Sequence, residues 1–133
     1  MKITHASAAL ALTLMAGVAS AGYIQPQPVQ IDSNLRTAIG DMSSARSSED
    51  PNELIGCGIR QIEVGVDVFV FGFCSAAVGE ASITCLTVNP DLIRAIDAIS
   101  DYSFITFSWN DQDECTRIGV STQSFYLPLL KTK

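Results

Sequence analysis

From Ile62 to Val70 every even position, Ile62, Val64, Val66, Val68 and Val70, is β-branched and apolar, while Glu63, Gly65 and Asp67 alternate with them. A period of two is the signature of a half-buried strand and is incompatible with a helix, so the middle of the chain must enter a sheet. The even face is expected in the core. From Phe69 onward the odd positions Phe69, Phe71 and Phe73 are apolar too, which predicts cover on both sides at that end, by a helix or a second layer. The run Ile62–Val78 exceeds the roughly 3 to 10 residues of an ordinary strand, so a break is placed near Gly72, giving two strands. The stretch VFVFGF lacks charge and proline, as fibre-forming segments do. A buried central strand is the preferred reading.

The flanking segments have their own signals. Gly79-Glu80 lies between two apolar runs and suits a two-residue turn with glycine first, so Val78 should face Ala81 and Cys74 should face Cys85. Asn89 is placed to cap a helix over Pro90 to Ser100, with Pro90 at its first position and a stripe of Leu92, Ile93, Ile96 and Ile99. Ser103–Trp109 and Cys115–Val120 read as a second hairpin around Asn110-Asp111-Gln112-Asp113-Glu114. An earlier helix is expected behind Asp32 or Ser33, ending near Arg46, because Leu35, Ala38, Ile39, Met42 and Ala45 recur at spacings of three and four. The predicted fold is α+β, a small single domain with a mainly antiparallel sheet of about five strands, two helices on one face, and disulfide staples.

The 133 residues allow only one such domain. Residues 1–21 read as a secretory signal, with an Ala/Leu-rich run ending in Ala19-Ser20-Ala21. Residues 22–31, rich in proline and glutamine, read as an extended leader outside the core, and 32–133 as the domain. Cleavage after Ala21 would remove His5, the only histidine, and with it Ser-His-Asp, Cys-His and imidazole–zinc chemistry. The expected location is secreted or periplasmic, with membrane contact only through the signal.

All four cysteines, Cys57, Cys74, Cys85 and Cys115, fall after that segment, and an even count in a small exported chain reads as two disulfides. No C-x-x-C occurs, and the spacing matches no zinc ribbon. The hairpin register favours Cys74–Cys85, leaving Cys57–Cys115.

With 14 acidic against 8 basic side chains and a net charge of −6, the chain lacks a nucleic-acid footprint. No P-loop, G-x-G-x-x-G or G-x-S-x-G occurs, and Gly56-Cys57-Gly58 is a weak candidate for a backbone nest. Asp111, Asp113 and Glu114 are the only concentrated polar feature. An EF-hand beginning at Asp111 would need glycine and glutamate where Thr116 and Thr122 stand, so a solvated turn is preferred to a calcium site. With Trp109 beside them, these residues form the candidate binding patch, although a lone tryptophan in an alternating strand is more often a core residue, the preferred reading for Trp109. No catalytic residue, metal ligand or cofactor is assigned. The expected function is a non-enzymatic exported binding or inhibitor protein, its acidity steering it toward a basic protein partner. A structural or self-assembling envelope component is the alternative.

Overall fold

The computed structural model describes residues 22–128. The expected signal segment with His5, and the basic tail at the carboxyl end, lie outside the described residues. Seven strands and two α-helices follow the order β1 (Gln30–Asp32), β2 (Thr37–Asp41), α1 (Met42–Ser47), β3 (Leu54–Val64), β4 (Asp67–Val78), β5 (Ala81–Thr87), α2 (Pro90–Asp97), β6 (Phe104–Trp109) and β7 (Cys115–Ser121). A 3₁₀ turn at Ser124–Tyr126 closes the chain. The strands form two antiparallel sheets, β1-β2-β6-β7 and β3-β4-β5, in place of the single sheet of about five strands expected. Because β2 pairs with β6, the three-stranded sheet and both helices are an excursion between two central neighbours of the other sheet.

The predicted helix behind Asp32 is a hairpin over most of its length. The Asp32 carboxylate accepts from the amides of Asn34 and Leu35 and so closes a turn instead of capping a helix. Arg36 follows in the left-handed region, and β1 pairs with β2 through Ile31 opposite Ala38. Helix begins only at Met42, capped by Asp41, which accepts from the Ser44 amide at 2.6 Å. The segment read as a leader outside the core is docked on it instead: Val29 is buried in the core and its amide donates to Glu53 at 2.8 Å. Gln30 and Ile31 belong to β1.

Other elements match their expectations. Asn89 caps α2 with Pro90 in its first turn, and Ile96 is buried, although the helix ends at Asp97. Strand β6 alternates as read, with Ile105, Phe107 and Trp109 inward. Val78 faces Ala81 across Gly79-Glu80, and Gly79 takes the positive φ that its turn requires.

The long central run is divided elsewhere than predicted. Gly65-Val66, not Gly72, is the break: Gly65 has a φ of 66° and Val64 closes a two-residue turn opposite Asp67. Gly72 lies inside β4, where a side chain would meet the Ile96 Cδ1 at 2.5 Å and the Thr87 Cγ2 at 3.2 Å. It admits α2 to the sheet.

Two disulfides are present, with a connectivity different from the one favoured: Cys57–Cys74 and Cys85–Cys115. The predicted register holds, since Cys74 does face Cys85. Counted from its turn, however, that position is a hydrogen-bonded pair, whereas Cys57 opposite Cys74, counted from Gly65-Val66, is a non-hydrogen-bonded pair, where side chains approach more closely. The Cα atoms of Cys57 and Cys74 are 4.0 Å apart. Cys85 then turns to β7, and its bond to Cys115 joins the two sheets.

Closing loops of 17 and 30 residues, the bonds contribute about 3 and about 3.6 kcal/mol on the chain-entropy model. Replacing Cys85 and Cys115 together with serine should therefore lower the urea-unfolding free energy by about 3 to 4 kcal/mol. Peptide mapping of the oxidised protein should recover Cys57 with Cys74, and a Cys74–Cys85 peptide would contradict this connectivity.

The Asp50 carboxylate supports the β4–β5 turn from outside. It accepts from the Gly79 amide at 2.6 Å and the Asn52 amide at 2.9 Å, and these bonds, Gly79 first, hold its pKa below the ordinary carboxylate value of 3.8. A lowered folded-state value means that the stabilisation is complete above the unfolded-state pKa and disappears as pH falls through the folded one. Denaturation from pH 6 to pH 2 should show Asp50→Asn less stable than the parent at the upper end and the gap closing below about pH 4.

Candidate functional site

Beyond Gly72 the three-stranded sheet loses a strand. β5 ends at Thr87 opposite Gly72, while β3 and β4 continue paired from Arg60 opposite Phe71 to Val64 opposite Asp67. This two-stranded arm extends about 17 Å past the sheet, five residues at strand rise. Among the described residues, no third strand or helix supplies the cover that its apolar pattern predicts. Ile62, Val64, Val66, Val68, Phe69 and Val70 are all exposed, Val66 almost completely at 99%.

The turn explains why a pattern of buried alternation becomes an exposed ribbon. Partners across the arm pair an even position with an odd one, as Ile62 with Phe69 and Glu63 with Val68. Directly opposite residues share a face, so Ile62 and Val64 fall on one face, Val68 and Val70 on the other, and Val66 in the turn between the strands. The outer face bears Arg60, Ile62, Val64, Asp67, Phe69 and Phe71; the other bears Gln61, Glu63, Val68 and Val70 and runs back to Cys57 and Cys74. Both are apolar. The expectation of one core face and a buried central strand is therefore corrected: the strand is buried at Gly72, Cys74 and Ala76 and exposed toward its turn.

The base of the arm is firmly made. The Phe73 ring lies across Gly58, where a side chain would meet it at 2.7 Å, and the Arg60 guanidinium covers that ring at 4.8 Å from its centroid. Cys57–Cys74 ties the two strands one pair further down.

The predicted patch is brought together only in part. Asp111, Asp113 and Glu114 lie on the exposed β6–β7 turn, but Trp109 points inward at 9% exposure, with its ring 6.0 Å from that of Phe107. Asn110 organises the turn: its side-chain oxygen accepts from the amides of Gln112 and Glu114, and its amide nitrogen donates to the Glu114 carboxylate at 2.7 Å. Asp111 pairs with Arg36, and the Asp113 carbonyl accepts from the Leu86 amide, linking the turn to β5. An open groove of about 710 Å³ lies beside them, lined by Leu86, Val88, Asp113 and Glu114 among others. Among the described residues, no three side chains of the metal-ligating types converge.

The one buried carboxylate, Asp41, is used structurally. It accepts from the Gln27 amide, the Ser44 amide and the Ser44 hydroxyl, at 2.5 to 2.6 Å. All four cysteines are oxidised.

The arm was the feature missed in the sequence, although a signal was there. Val64-Gly65-Val66-Asp67 has glycine first between strand residues, as Val78-Gly79-Glu80-Ala81 does. Comparison with protein-family models, with curated proteins and with solved structures finds no match.

Because the arm's side chains face water, polar replacements there should leave stability nearly unchanged. Val66→Ser and Val68→Thr should each shift the unfolding free energy by no more than about 0.5 kcal/mol, whereas Ile105→Ala, in the core, should cost about 2 to 5 kcal/mol.

Proposed function

We propose that this protein is a non-enzymatic binding protein, secreted or periplasmic, whose recognition element is the β3–β4 arm. The observation that supports it is the apolar, two-faced and uncovered ribbon from Ile62 to Val70. Soluble proteins expose apolar side chains singly as a matter of course; a contiguous group on one projecting element signals a surface that another molecule covers. The partner is a polypeptide, because a ribbon with open backbone edges offers strand pairing as well as apolar contact. Two disulfides fit an oxidising compartment, and among the described residues no helix is long and apolar enough to cross a membrane.

The acid excess suits a partner that brings cations. Asp67 and Glu63 lie near the tip of the arm, and Asp111, Asp113 and Glu114 extend the negative field along the other sheet. Such charges act mainly on encounter rate and on the choice of partner. Inhibition of a cationic enzyme is one form this binding would take. Self-assembly is the second reading, favoured by the placement of Arg60 and Asp67 on one face.

A photo-crosslinking side chain at position 66, in protein exported by its natural route, should give a discrete adduct with another polypeptide. The same group at position 94, on the exposed side of α2, should give none. Absence of a position-66 adduct would exclude the arm as the recognition element.

A further inference from the structure

The outer face of the arm is arranged to fit itself. We infer that its occupant is the same face of a second copy, stacked tip to base about a two-fold axis. This rests on the arm being the recognition element and names its partner.

Four rows make up that face: Gly58 with Phe73 and Leu86, Arg60 with Phe71, Ile62 with Phe69, and Val64 with Asp67. The Arg60 side chain folds toward the base, its guanidinium over the Phe73 ring. The face therefore has a cation at the Phe73 row, an anion at the Asp67 row, and Phe71, Ile62 and Phe69 between them. A two-fold axis midway between the Arg60·Phe71 and Ile62·Phe69 rows carries each row onto a complementary one. The Val64·Asp67 tip of one copy falls on the Phe73 row of the other, under its guanidinium, and the reverse occurs at the far end. Two Arg60–Asp67 pairs then bracket a shared layer of Ile62, Phe69 and Phe71. An isologous contact requires this self-complementarity.

The alternative occupants fit less well. A lipid surface favours basic residues around an apolar insertion, and the charges nearest this tip are Glu63 and Asp67. A basic partner would complement Asp67, but Arg60 would then lack an anion; a second copy supplies both. Four rows at strand spacing span about 20 Å, a small interface of the transient class.

Sedimentation of the oxidised protein from about 10 μM to about 1 mM should show a reversible monomer–dimer equilibrium. Asp67→Arg, at the exposed tip, and Arg60→Asp should each raise the dissociation constant about tenfold or more, and the two together should restore it to within about threefold of the parent. Circular dichroism and intact mass establish that each variant is folded and oxidised. A protein monomeric throughout, or a dimer indifferent to Asp67→Arg, or a double variant no better than the single ones, would overturn the two-fold stack. A position-66 adduct with a different polypeptide, from a protein that stays monomeric, would overturn the second copy while leaving the arm as recognition element. Failure to crosslink at all would remove both.

Discussion

The bond between Cys85 and Cys115 is the constraint on which the two-sheet arrangement depends. One sheet has four strands and the other three, and among the described residues they share no backbone ladder beyond a single parallel bridge from Leu86 to Glu114. Neither sheet has a core to itself. The buried cluster draws Ala38, Ile105 and Phe107 from one, Ile55, Cys74 and Ala76 from the other, and Ile96 from α2. The disulfide crosses between the sheets beside the Leu86 amide, which donates to Asp113. It shortens the effective loop of an excursion that otherwise runs from β2 to β6. Non-local closure of that length is entropically costly, and small exported domains commonly offset it with covalent ties.

The parts of this fold that were legible in the sequence are those whose signals are local and unambiguous. The Gly79-Glu80 turn, the Asn89-Pro90 cap and the β6–β7 hairpin each have turn or cap residues beside a clean period, and each forms where expected. Residues 32 to 46 failed because their signals serve two structures. An aspartate that caps a helix also closes a turn, and Ala38, Met42 and Ala45 fit a helical stripe while Thr37 and Ile39 suit a strand. Pairing with β6, about 70 residues away, decided for the strand, and a local pattern does not contain that partner. The disulfides failed for a related reason. Register alone puts Cys74 between Cys57 and Cys85, and the choice depends on which neighbour is reached at a non-hydrogen-bonded position. That follows only once the turn at Gly65-Val66 is known. The candidate patch was legible as a charged turn, and the alternation that marks Trp109 as a strand residue beside it also sends that side chain inward with Ile105 and Phe107, as the preferred core reading had it.

Alternation of apolar and polar residues is a statement about what would be buried if a second layer arrived. Over Ile105, Phe107 and Trp109 it arrives, and the pattern and the burial agree. Over Ile62 to Val70 it does not. Branched side chains fit a pleated, half-buried surface, yet here they stand in water. An isolated two-stranded hairpin is marginal in water, and this one is held by its base. Arg60, Phe73 and Gly58 pack there, and Cys57–Cys74 fixes the register from which the rest of the arm extends.

Stability and exposure are opposed in a small domain, because each apolar side chain left in water is withheld from a limited core. Here the opposition is resolved by covalent bonds. With about 3 kcal/mol or more available from each disulfide, the domain can leave six apolar residues of its longest hairpin unburied and still fold. Exposed strands with open edges invite indiscriminate pairing, and charges on such strands are a common restraint. Arg60, Glu63 and Asp67 are the only charges between Gly58 and Val78, and they are spread over both faces of the arm. A neutral ribbon would pair with any apolar edge. In the proposed binding role, a cation at the base and an anion at the tip favour a surface whose charges run the other way, and that preference would separate specific recognition from aggregation on the same apolar side chains.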